Sequence, residues 1–134
     1  MQSQQHVSVW PYIEWLPSWG HDGLYLDVTN KGIGPAIVKD VTIRLDNVEY
    51  ESFKSLFESI EDSVGIEFGY STVRNRVIAP NENIRAFIIN DQEIGDWVKE
   101  KFSKSNFEYE ICYCSVYGDC WTSMGTVVVE DKCK

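Results

Sequence analysis

The chain has 134 residues, a net charge of −9, 43% hydrophobic residues and 13% aromatic residues. These values indicate one folded domain and exclude an intrinsically disordered chain. Because phosphate binding needs clustered lysine and arginine, the acidic balance argues against nucleic acid and anionic membrane as partners. The sequence contains no run of 18 apolar residues, so no segment of it is predicted to span a bilayer.

The N-terminal part is predicted to begin with a disordered polar lead, residues 1–6, followed by a strand. Residues 7–15 have strand-like composition, and Pro11 indicates an edge position because proline cannot donate a ladder hydrogen bond. Residues 16–23 are rich in glycine and proline, which is typical of a loop. We therefore expect one edge strand and one loop before the clearest pattern in the chain.

That pattern consists of two segments, residues 24–29 and 41–46, in which apolar and polar residues alternate with period two. Such alternation predicts two half-buried strands. Glycine accepts a positive φ and proline fixes φ, so we expect a strained turn between them, with Gly34 in a conformation that a Cβ disfavours. The structural residues of this turn are Asn30, Gly32, Gly34 and Pro35.

A helical period replaces the strand period at about residues 52–61. Ser52 is the expected N-cap, because its hydroxyl can accept a hydrogen bond from the first turn. Apolar residues at i, i+3, i+4 and i+7 predict one buried face. The helix is expected to dock on the sheets through Phe53, Phe57 and Ile60.

A strand at about residues 83–89 leads into a second predicted helix. This helix is expected to begin near Asn90, with Glu93 three residues later completing a capping box. Gly95 inside it costs about 1 kcal/mol relative to alanine. Its predicted apolar face consists of Ile94, Trp97, Val98 and Phe102.

The last third is predicted to be a hairpin, with strands at residues 107–113 and 121–129 joined by a turn at 117–120. Residues 131–134 are expected to form a frayed tail. About six to eight strands with two short helices between them favour a mainly β, antiparallel β-sandwich with two helical insertions. We expect residues 1–134 to form a single sandwich domain of this kind.

Three short motifs mark the predicted turns and strand ends: residues 30–36 (NKGIGPA), 78–82 (IAPNE) and 113–119 (YCSVYGD). They resemble motifs of bacterial immunoglobulin-like or fibronectin-like sandwich domains. Asn81 stands where that family has glycine, and Ser115 replaces an aspartate. The chain is similar to cell-adhesion-related sandwich domains, and more closely to uncharacterised exported domains that follow a single N-terminal membrane helix. The resemblance implies an immunoglobulin-like fold and an extracytoplasmic location, periplasmic or at the cell surface, but no activity.

The sequence predicts no catalytic residue and no cofactor. Gly32-x-Gly34 is not a dinucleotide motif, because position 37 is isoleucine and a strand follows instead of a helix. A Ser-His-Asp triad would require His6 or His21, and both are predicted to be exposed histidines. Aspartate and glutamate are plentiful, so a carboxylate pair for glycoside hydrolysis stays open, and a hydrolase is the third hypothesis.

The cysteines Cys112, Cys114, Cys120 and Cys133 allow three complete pairings. A metal is not predicted, because neither a C-x₂-C knuckle nor a calcium loop occurs. At most one disulfide is expected, and Cys114 with Cys120 is the first choice, because a five-residue loop would place them opposite each other. A two-residue turn at 118–119 would instead put them on opposite faces. Cys120 and Cys133 flank one long predicted strand and should not pair, and unpaired, buried cysteines are the alternative.

Aromatic residues crowd the first twenty positions, and exposed rings can stack on the apolar faces of sugars. The candidate ligand-binding residues are Trp10, Tyr12 and Trp19. We predict a non-enzymatic, extracytoplasmic interaction or structural module with an unknown protein partner, tethered to a membrane through a segment outside this chain. The alternative is a carbohydrate-binding module that uses these aromatics to hold a glycan. If Met1 is the native start, a cytoplasmic location is the alternative.

Overall fold

A computed structural model describes residues 10–60 and 66–133, so the predicted disordered lead, residues 1–6, lies outside the described residues. This part of the chain forms ten strands and two helices. The number of strands exceeds the six to eight expected, because four of them have only two or three residues. The strands are β1 (Ile13–Gly20), β2 (Gly23–Asn30), β3 (Ala36–Leu45), β4 (Val48–Tyr50), β5 (Gly69–Tyr70), β6 (Val77–Ile78), β7 (Asn83–Ile89), β8 (Phe107–Cys114), β9 (Cys120–Ser123) and β10 (Val128–Glu130), and the helices are α1 (Phe53–Ile60) and α2 (Gln92–Lys104).

The strands form two antiparallel sheets. The four-stranded sheet has the order β1–β2–β7–β5, and the six-stranded sheet has the order β10–β9–β8–β3–β4, with β6 also paired to β3. Apolar side chains from both sheets and both helices meet in one core. The mainly β, antiparallel sandwich with two short helices that the sequence predicts is therefore confirmed. The largest fully buried side chains include Tyr109, Tyr113, Phe57, Phe87 and Ile13.

The two alternating segments at 24–29 and 41–46 are strands, as predicted, but they belong to different sheets. The chain leaves the four-stranded sheet after β2 and enters the six-stranded sheet at β3. Even-numbered residues of β2 and odd-numbered residues of the second half of β3 point into the core, which explains the period of two in both segments. The turn between them therefore sets the position of one sheet against the other.

The side chain of Asn30 organises this turn from a fully buried position. Its Oδ1 accepts hydrogen bonds from the backbone N–H groups of Tyr12, at 3.1 Å, and Gly32, at 2.9 Å. Its Nδ2 donates to the carbonyl oxygens of Gly34 and Ile78, both at 2.9 Å. The four hydrogen bonds use the full capacity of the amide. Four separate backbone groups are thereby held by one side chain.

The expected left-handed conformation at Gly34 is wrong, because neither Gly32 nor Gly34 has a positive φ. The chain bends through the hydrogen bonds of Asn30 instead. Glycine is required at Gly32 for a steric reason, since a Cβ there would lie 2.3 Å from the carbonyl oxygen of Trp10. In the 78–82 motif, Asn81 does adopt a positive φ of 66°, which is where the resembling family has glycine.

The first strand runs from residue 13 to residue 20, so the predicted strand at 7–15 ends too early and the predicted loop at 16–23 is wrong. A two-residue turn, His21 and Asp22, joins Gly20 to Gly23 at the start of β2. Pro17 suggested a loop, but β1 is the edge strand of its sheet and an edge strand accepts proline.

Helix α1 lies where the sequence predicts it. The hydroxyl of Ser52 accepts a hydrogen bond from the N–H of Ser55 at 3.2 Å, so Ser52 is the N-cap. Phe53 and Phe57 are buried, and Ile60 is partly buried against the core. Aromatic side chains of the helix contact rings from both sheets, so α1 docks on both of them.

The N-cap of helix α2 lies one residue later than predicted. Asp91, not Asn90, is the N-cap, and its carboxylate accepts from the N–H of Ile94 at 3.0 Å, so the capping box of Asn90 and Glu93 is wrong. Gly95 is buried because the helix approaches β2 closely, and a Cβ there would lie 2.9 Å from the backbone nitrogen of Leu24. Of the predicted apolar face, Val98 is fully buried, and Ile94, Trp97 and Phe102 are partly buried.

The C-terminal part differs from the predicted single return strand at 121–129. The chain forms two short strands, β9 and β10, joined by a turn in which Met124 N–H donates to the carbonyl oxygen of Val127 at 2.8 Å. The predicted frayed tail at 131–134 is also wrong over residues 131–133. The N–H of Asp131 donates to the carbonyl oxygen of Cys120 at 3.1 Å, and Cys133 is disulfide-bonded.

Candidate functional site

The outer face of the six-stranded sheet carries the cysteines of β8 and β9. Residues 109, 111 and 113 of β8 point into the core, so Cys112 and Cys114 point outward. The register pairs Cys114 with Cys120 and Cys112 with Thr122 on the neighbouring strand. Three side chains that can react or cross-link therefore lie on adjacent outward positions of two strands.

The tail after β10 folds back over this outer face. The carboxylate of Asp131 accepts a hydrogen bond from the hydroxyl of Thr122 at 2.6 Å. Two residues further on, the sulfur of Cys133 lies 3.8 Å from the carbonyl oxygens of both Tyr113 and Trp121. These two residues pair with each other, one position along from the Cys114 and Cys120 pair. The tail thus places a fourth cysteine directly above the other three.

Two disulfides result, Cys114–Cys120 and Cys112–Cys133, with Cα atoms 4.0 Å and 5.5 Å apart. The first is the pair that the sequence favoured, and the loop of residues 115–119 has the expected length of five. The expectation of at most one disulfide is wrong, and so is the alternative of unpaired cysteines, because the described residues contain no free cysteine. The strand pattern at 121–129 did not predict that the chain turns back after β10, and this reversal brings Cys133 close to Cys112.

The four cysteines, Cys112, Cys114, Cys120 and Cys133, are called the cysteine cluster. Beside Cys120 the protein surface forms an open cavity of about 710 Å³, called the Trp10 surface. The ring of Trp10 stacks on Trp121 at a centroid distance of 5.1 Å, and 42% of Trp10 remains exposed. An exposed aromatic ring that is fixed from below can stack on an apolar ligand face. The Trp10 surface is lined by Trp10, Gly118, Asp119, Cys120, Trp121, Glu130, Asp131 and Lys132.

Trp19 belongs to a different groove of about 390 Å³, which lies between β1 and α2 and includes Trp15 and Phe102. The ammonium group of Lys99 lies 3.9 Å from the centroid of the Trp19 ring, a cation–π contact across the groove. Trp19 is near the end of β1, whereas Trp10 precedes its start. The structure therefore does not bring these two rings together.

Tyr12 is 38% exposed and its backbone is bonded to Asn30, but its side chain lines neither the Trp10 surface nor the Trp19 groove. The three candidate aromatics consequently do not form one planar row. Trp15, the remaining tryptophan of the crowded N-terminal stretch, packs edge-on to Tyr109 and donates from its indole nitrogen to the carbonyl oxygen of that residue at 2.9 Å. Of the three candidate aromatics, only Trp10 combines exposure, stacking on a second ring and a concave surrounding.

His21 lies in the exposed two-residue turn between β1 and β2, and His6 lies outside the described residues. The sulfurs of Cys114, Cys120 and Cys133 lie within 4.8 Å of one another. Because these sulfurs are in disulfides, they provide no thiolate for a metal ion in this form. The cysteine cluster and the Trp10 surface, which share Cys120, therefore form the candidate site.

Two tyrosines in the core have strongly perturbed ionisation. Burial raises the pKa of the Tyr113 hydroxyl to about 12, partly offset by the hydrogen bond that this oxygen accepts from the N–H of Ile13 at 3.3 Å. Burial also raises the pKa of Tyr109, and the positive charge of Arg74 opposes this shift. Both groups are core residues, and Tyr109 reaches a cavity of about 190 Å³ between α1 and residues 70–74.

Comparison of the chain with family models, with curated proteins and with solved structures finds no match. The helices in the described part of the chain are too short or too polar to cross a membrane. The fold and the site define a β-sandwich domain with two adjacent disulfides on one outer face.

Proposed function

We propose that this chain is a non-enzymatic interaction or structural module that works in an oxidising, extracytoplasmic compartment. The observation that carries the proposal is the pairing of all four cysteines in two disulfides. Disulfides persist in the periplasm and at cell surfaces and are rare in the cytosol. The immunoglobulin-like character of the sandwich, inferred from the three turn motifs, belongs to the same proposal.

The Trp10 surface is the proposed contact region. A stable interface usually centres on an aromatic anchor in a desolvated setting, surrounded by polar residues. Trp10 has this arrangement, because Trp121 supports its ring while Glu130 and Lys132 supply charges of both signs nearby. A protein partner is the first candidate, since a rim with both charge signs suits the mixed surface of a folded protein.

The binding part is tested on cell-envelope fractions with the wild type and two variants, Trp10→Ala and Trp19→Ala. Truncating an anchor tryptophan costs at least about 2 kcal/mol, roughly a 30-fold loss of affinity. The Trp19→Ala control removes a ring of comparable exposure, 52% against 42% for Trp10, from the separate groove and should leave binding unchanged. Equal binding by the wild type and Trp10→Ala would overturn the assigned surface.

Carbohydrate binding is the second candidate, favoured by the exposed face of Trp10 beside carboxylates that can hydrogen-bond sugar hydroxyls. Treatment of the envelope fraction separates the two candidates. Protease should abolish binding to a protein partner, whereas periodate, which cleaves sugar diols, should not. Loss after periodate and survival after protease would favour the glycan.

The location is tested by acid precipitation at the moment of cell lysis, which stops thiol exchange, followed by alkylation of the free thiols in denaturant and mapping of the cysteines. We expect both disulfides and no labelled thiol. Four labelled cysteines would contradict an oxidising compartment. The tether part of the proposal is tested separately by the upstream coding sequence, where about 20 consecutive apolar residues flanked by lysine or arginine would support it.

A further inference from the structure

The two disulfides are close enough to exchange with each other. The sulfur of Cys133 lies above the Tyr113 and Trp121 pair, which separates the Cys112 position from the Cys114 and Cys120 pair. On β8, the outward side chains of Cys112 and Cys114 lie on either side of Tyr113, and therefore on either side of the Cys133 sulfur. The sulfurs of Cys133, Cys114 and Cys120 consequently lie within 4.8 Å of one another, although Cys133 is bonded to Cys112.

We infer that the four cysteines form a redox-controlled disulfide relay, in which Cys133 exchanges its bond with Cys112 for a bond with Cys114 and so releases a thiol at Cys120. Thiol–disulfide exchange requires a thiolate near a disulfide sulfur, and this arrangement provides one as soon as the Cys112–Cys133 bond is reduced. The relay goes beyond the proposed function, because it does not depend on what binds at the Trp10 surface.

The first step is reduction of the Cys112–Cys133 bond by a dithiol reductant. The reductant supplies two electrons and two protons and leaves as its own disulfide, so Cys112 and Cys133 become thiols. A reductant can approach either sulfur of this bond, because both of its cysteines are partly exposed, whereas in the other bond only Cys120 is partly exposed and Cys114 is 5% exposed. Access controls which disulfide a reductant attacks first.

The second step is internal. The thiol of Cys133 loses its proton to water, and its thiolate attacks the sulfur of Cys114. The Cys114–Cys120 bond breaks, its electron pair remains on Cys120, and Cys120 takes a proton from water. The product has one disulfide, Cys114–Cys133, and two thiols, Cys112 and Cys120, so the tail stays attached to β8.

The direction of the attack follows from the leaving group. A thiolate leaves more readily when water stabilises it, and burial in apolar surroundings raises its pKa. Cys120 is partly exposed and lines the Trp10 surface, whereas Cys114 is buried. Lys132, whose positive charge would stabilise a thiolate on Cys120, lines the same surface, but three carboxylates also line it and oppose this effect. The difference in solvent exposure between Cys120 and Cys114 therefore determines the direction of the attack. The relay places a reactive thiol on the Trp10 surface only under reducing conditions.

The test compares two variants that lose the same disulfide. Cys112→Ser leaves Cys133 as the unpaired cysteine, and Cys133→Ser leaves Cys112. Both are held at pH 8, quenched in acid, labelled with a thiol reagent and mapped without reductant. In Cys112→Ser we expect a Cys114–Cys133 bond and a label that shifts from Cys133 to Cys120. In Cys133→Ser we expect the Cys114–Cys120 bond to persist, with the label on Cys112.

A label that stays on Cys133 in the Cys112→Ser variant would overturn the relay, and a label on Cys114 would overturn its direction. Exchange to the same extent in Cys133→Ser would overturn the role of the tail. If both variants fail to fold, the wild type decides after partial reduction with dithiothreitol and an acid quench. There the singly bonded species should contain the Cys114–Cys133 bond, and exclusive retention of Cys114–Cys120 would overturn the proposal.

Discussion

The buried side-chain amide of Asn30 donates a hydrogen bond to the carbonyl oxygen of Ile78 at 2.9 Å, 48 residues further along the chain. This bond joins the end of β2, in the four-stranded sheet, to β6, which pairs with β3 of the six-stranded sheet. The same amide holds Tyr12, Gly32 and Gly34. One fully buried side chain therefore fixes the chain segment that leads into β1, the crossover between the sheets and the turn after β6.

Replacement of Asn30 by aspartate should be strongly destabilising. A carboxylate keeps the shape but cannot donate to the two carbonyl oxygens, which would face a buried negative charge. Each buried polar group left without a partner costs about 1 to 3 kcal/mol, so we expect a loss of at least about 3 kcal/mol. Urea unfolding of the wild type and of Asn30→Asp measures this loss in the free energy of unfolding. Asn83→Asp, at an exposed asparagine, is the control and should change stability by less than about 0.5 kcal/mol.

Substitution of Gly32 by alanine should destabilise the protein even though Gly32 has no left-handed conformation. The added Cβ would meet the carbonyl oxygen of Trp10 at 2.3 Å, and this backbone cannot move without disturbing the hydrogen bonds of Asn30. Overpacking of this kind costs about 1 to 3 kcal/mol. Thermal unfolding should show a lower Tm, and binding at the Trp10 surface should weaken as well.

The matched control for Gly32 is Gly20, because no heavy atom beyond the two neighbouring residues lies within 4 Å of the Cβ that alanine would add there. Gly20→Ala should unfold like the wild type. An unchanged Tm for Gly32→Ala would show that the segment at residue 10 yields to a Cβ and does not brace the turn.

The alternation of apolar and polar residues correctly predicted those strands and helices in which the apolar residues are buried and the polar residues are exposed or partly exposed. Period two identified β2 and the second half of β3, and period 3.6 with Ser52 as N-cap identified α1. The sequence predicted an edge strand from Pro11, but Pro11 precedes β1, and the proline that lies in the edge strand is Pro17, which had been assigned to a loop. What it could not show was which sheet each strand joins, because that depends on contacts between residues far apart in sequence.

In the candidate site, too, the features that depend on residues close in sequence were predicted, and those that depend on distant contacts were not. The loop length between Cys114 and Cys120 pointed to their disulfide, because the two cysteines are close in sequence. The bond between Cys112 and Cys133 depends on the β9–β10 turn and the reversed tail, which no periodicity reveals. Similarly, the sequence grouped Trp10 with Trp19, but β1 separates them by its full length.

Phe57 should be among the most sensitive core positions. Its ring is 1% exposed and contacts Phe68 and Phe87 edge-on, with centroid distances of 4.8 Å and 5.2 Å. Truncation of a buried phenylalanine to alanine costs about 3 to 5 kcal/mol. Urea unfolding of Phe57→Ala with intact disulfides should show this loss, whereas Lys54→Ala on the exposed side of α1 should not. Wild-type stability for Phe57→Ala would mean that α1 does not dock on the core.

The stability of the protein should fall in strong alkali because of Tyr113. Its folded pKa, about 12, lies above the value of about 10 for an unfolded chain, so the folded state holds the proton more tightly. The contribution is complete below pH 10 and is lost as the pH rises towards 12. Tyr113→Phe should be less stable at pH 7, because it lacks the hydrogen bond to Ile13, but should lose less stability between pH 10 and 12.

This alkaline prediction is checked by short urea titrations at several pH values, because disulfides themselves degrade in prolonged alkali. Tyr109→Phe provides a comparison, since burial also raises the pKa of Tyr109. If the free energy of unfolding falls with pH equally steeply in the wild type and in both variants, groups other than Tyr113 and Tyr109 cause the alkaline loss.

The two disulfides should contribute unequally to stability. The Cys112–Cys133 bond joins residues separated by 21 positions, whereas the Cys114–Cys120 bond spans only 6. A cross-link that closes a longer loop removes more conformational entropy from the unfolded chain. The loop-entropy relation gives about 3.4 kcal/mol for the longer loop and about 2.4 kcal/mol for the shorter one.

Double substitution with alanine removes each bond without leaving a free thiol that could exchange. Cys112→Ala with Cys133→Ala should therefore lower the free energy of unfolding by about 1 kcal/mol more than Cys114→Ala with Cys120→Ala. The first pair also frees the tail, so the Thr122 and Asp131 contact should weaken and add to the difference. Guanidinium unfolding of both double variants measures the order. The reverse order would mean that the short bond stabilises the folded β8–β9 hairpin directly, and that loop entropy does not govern this pair of cross-links.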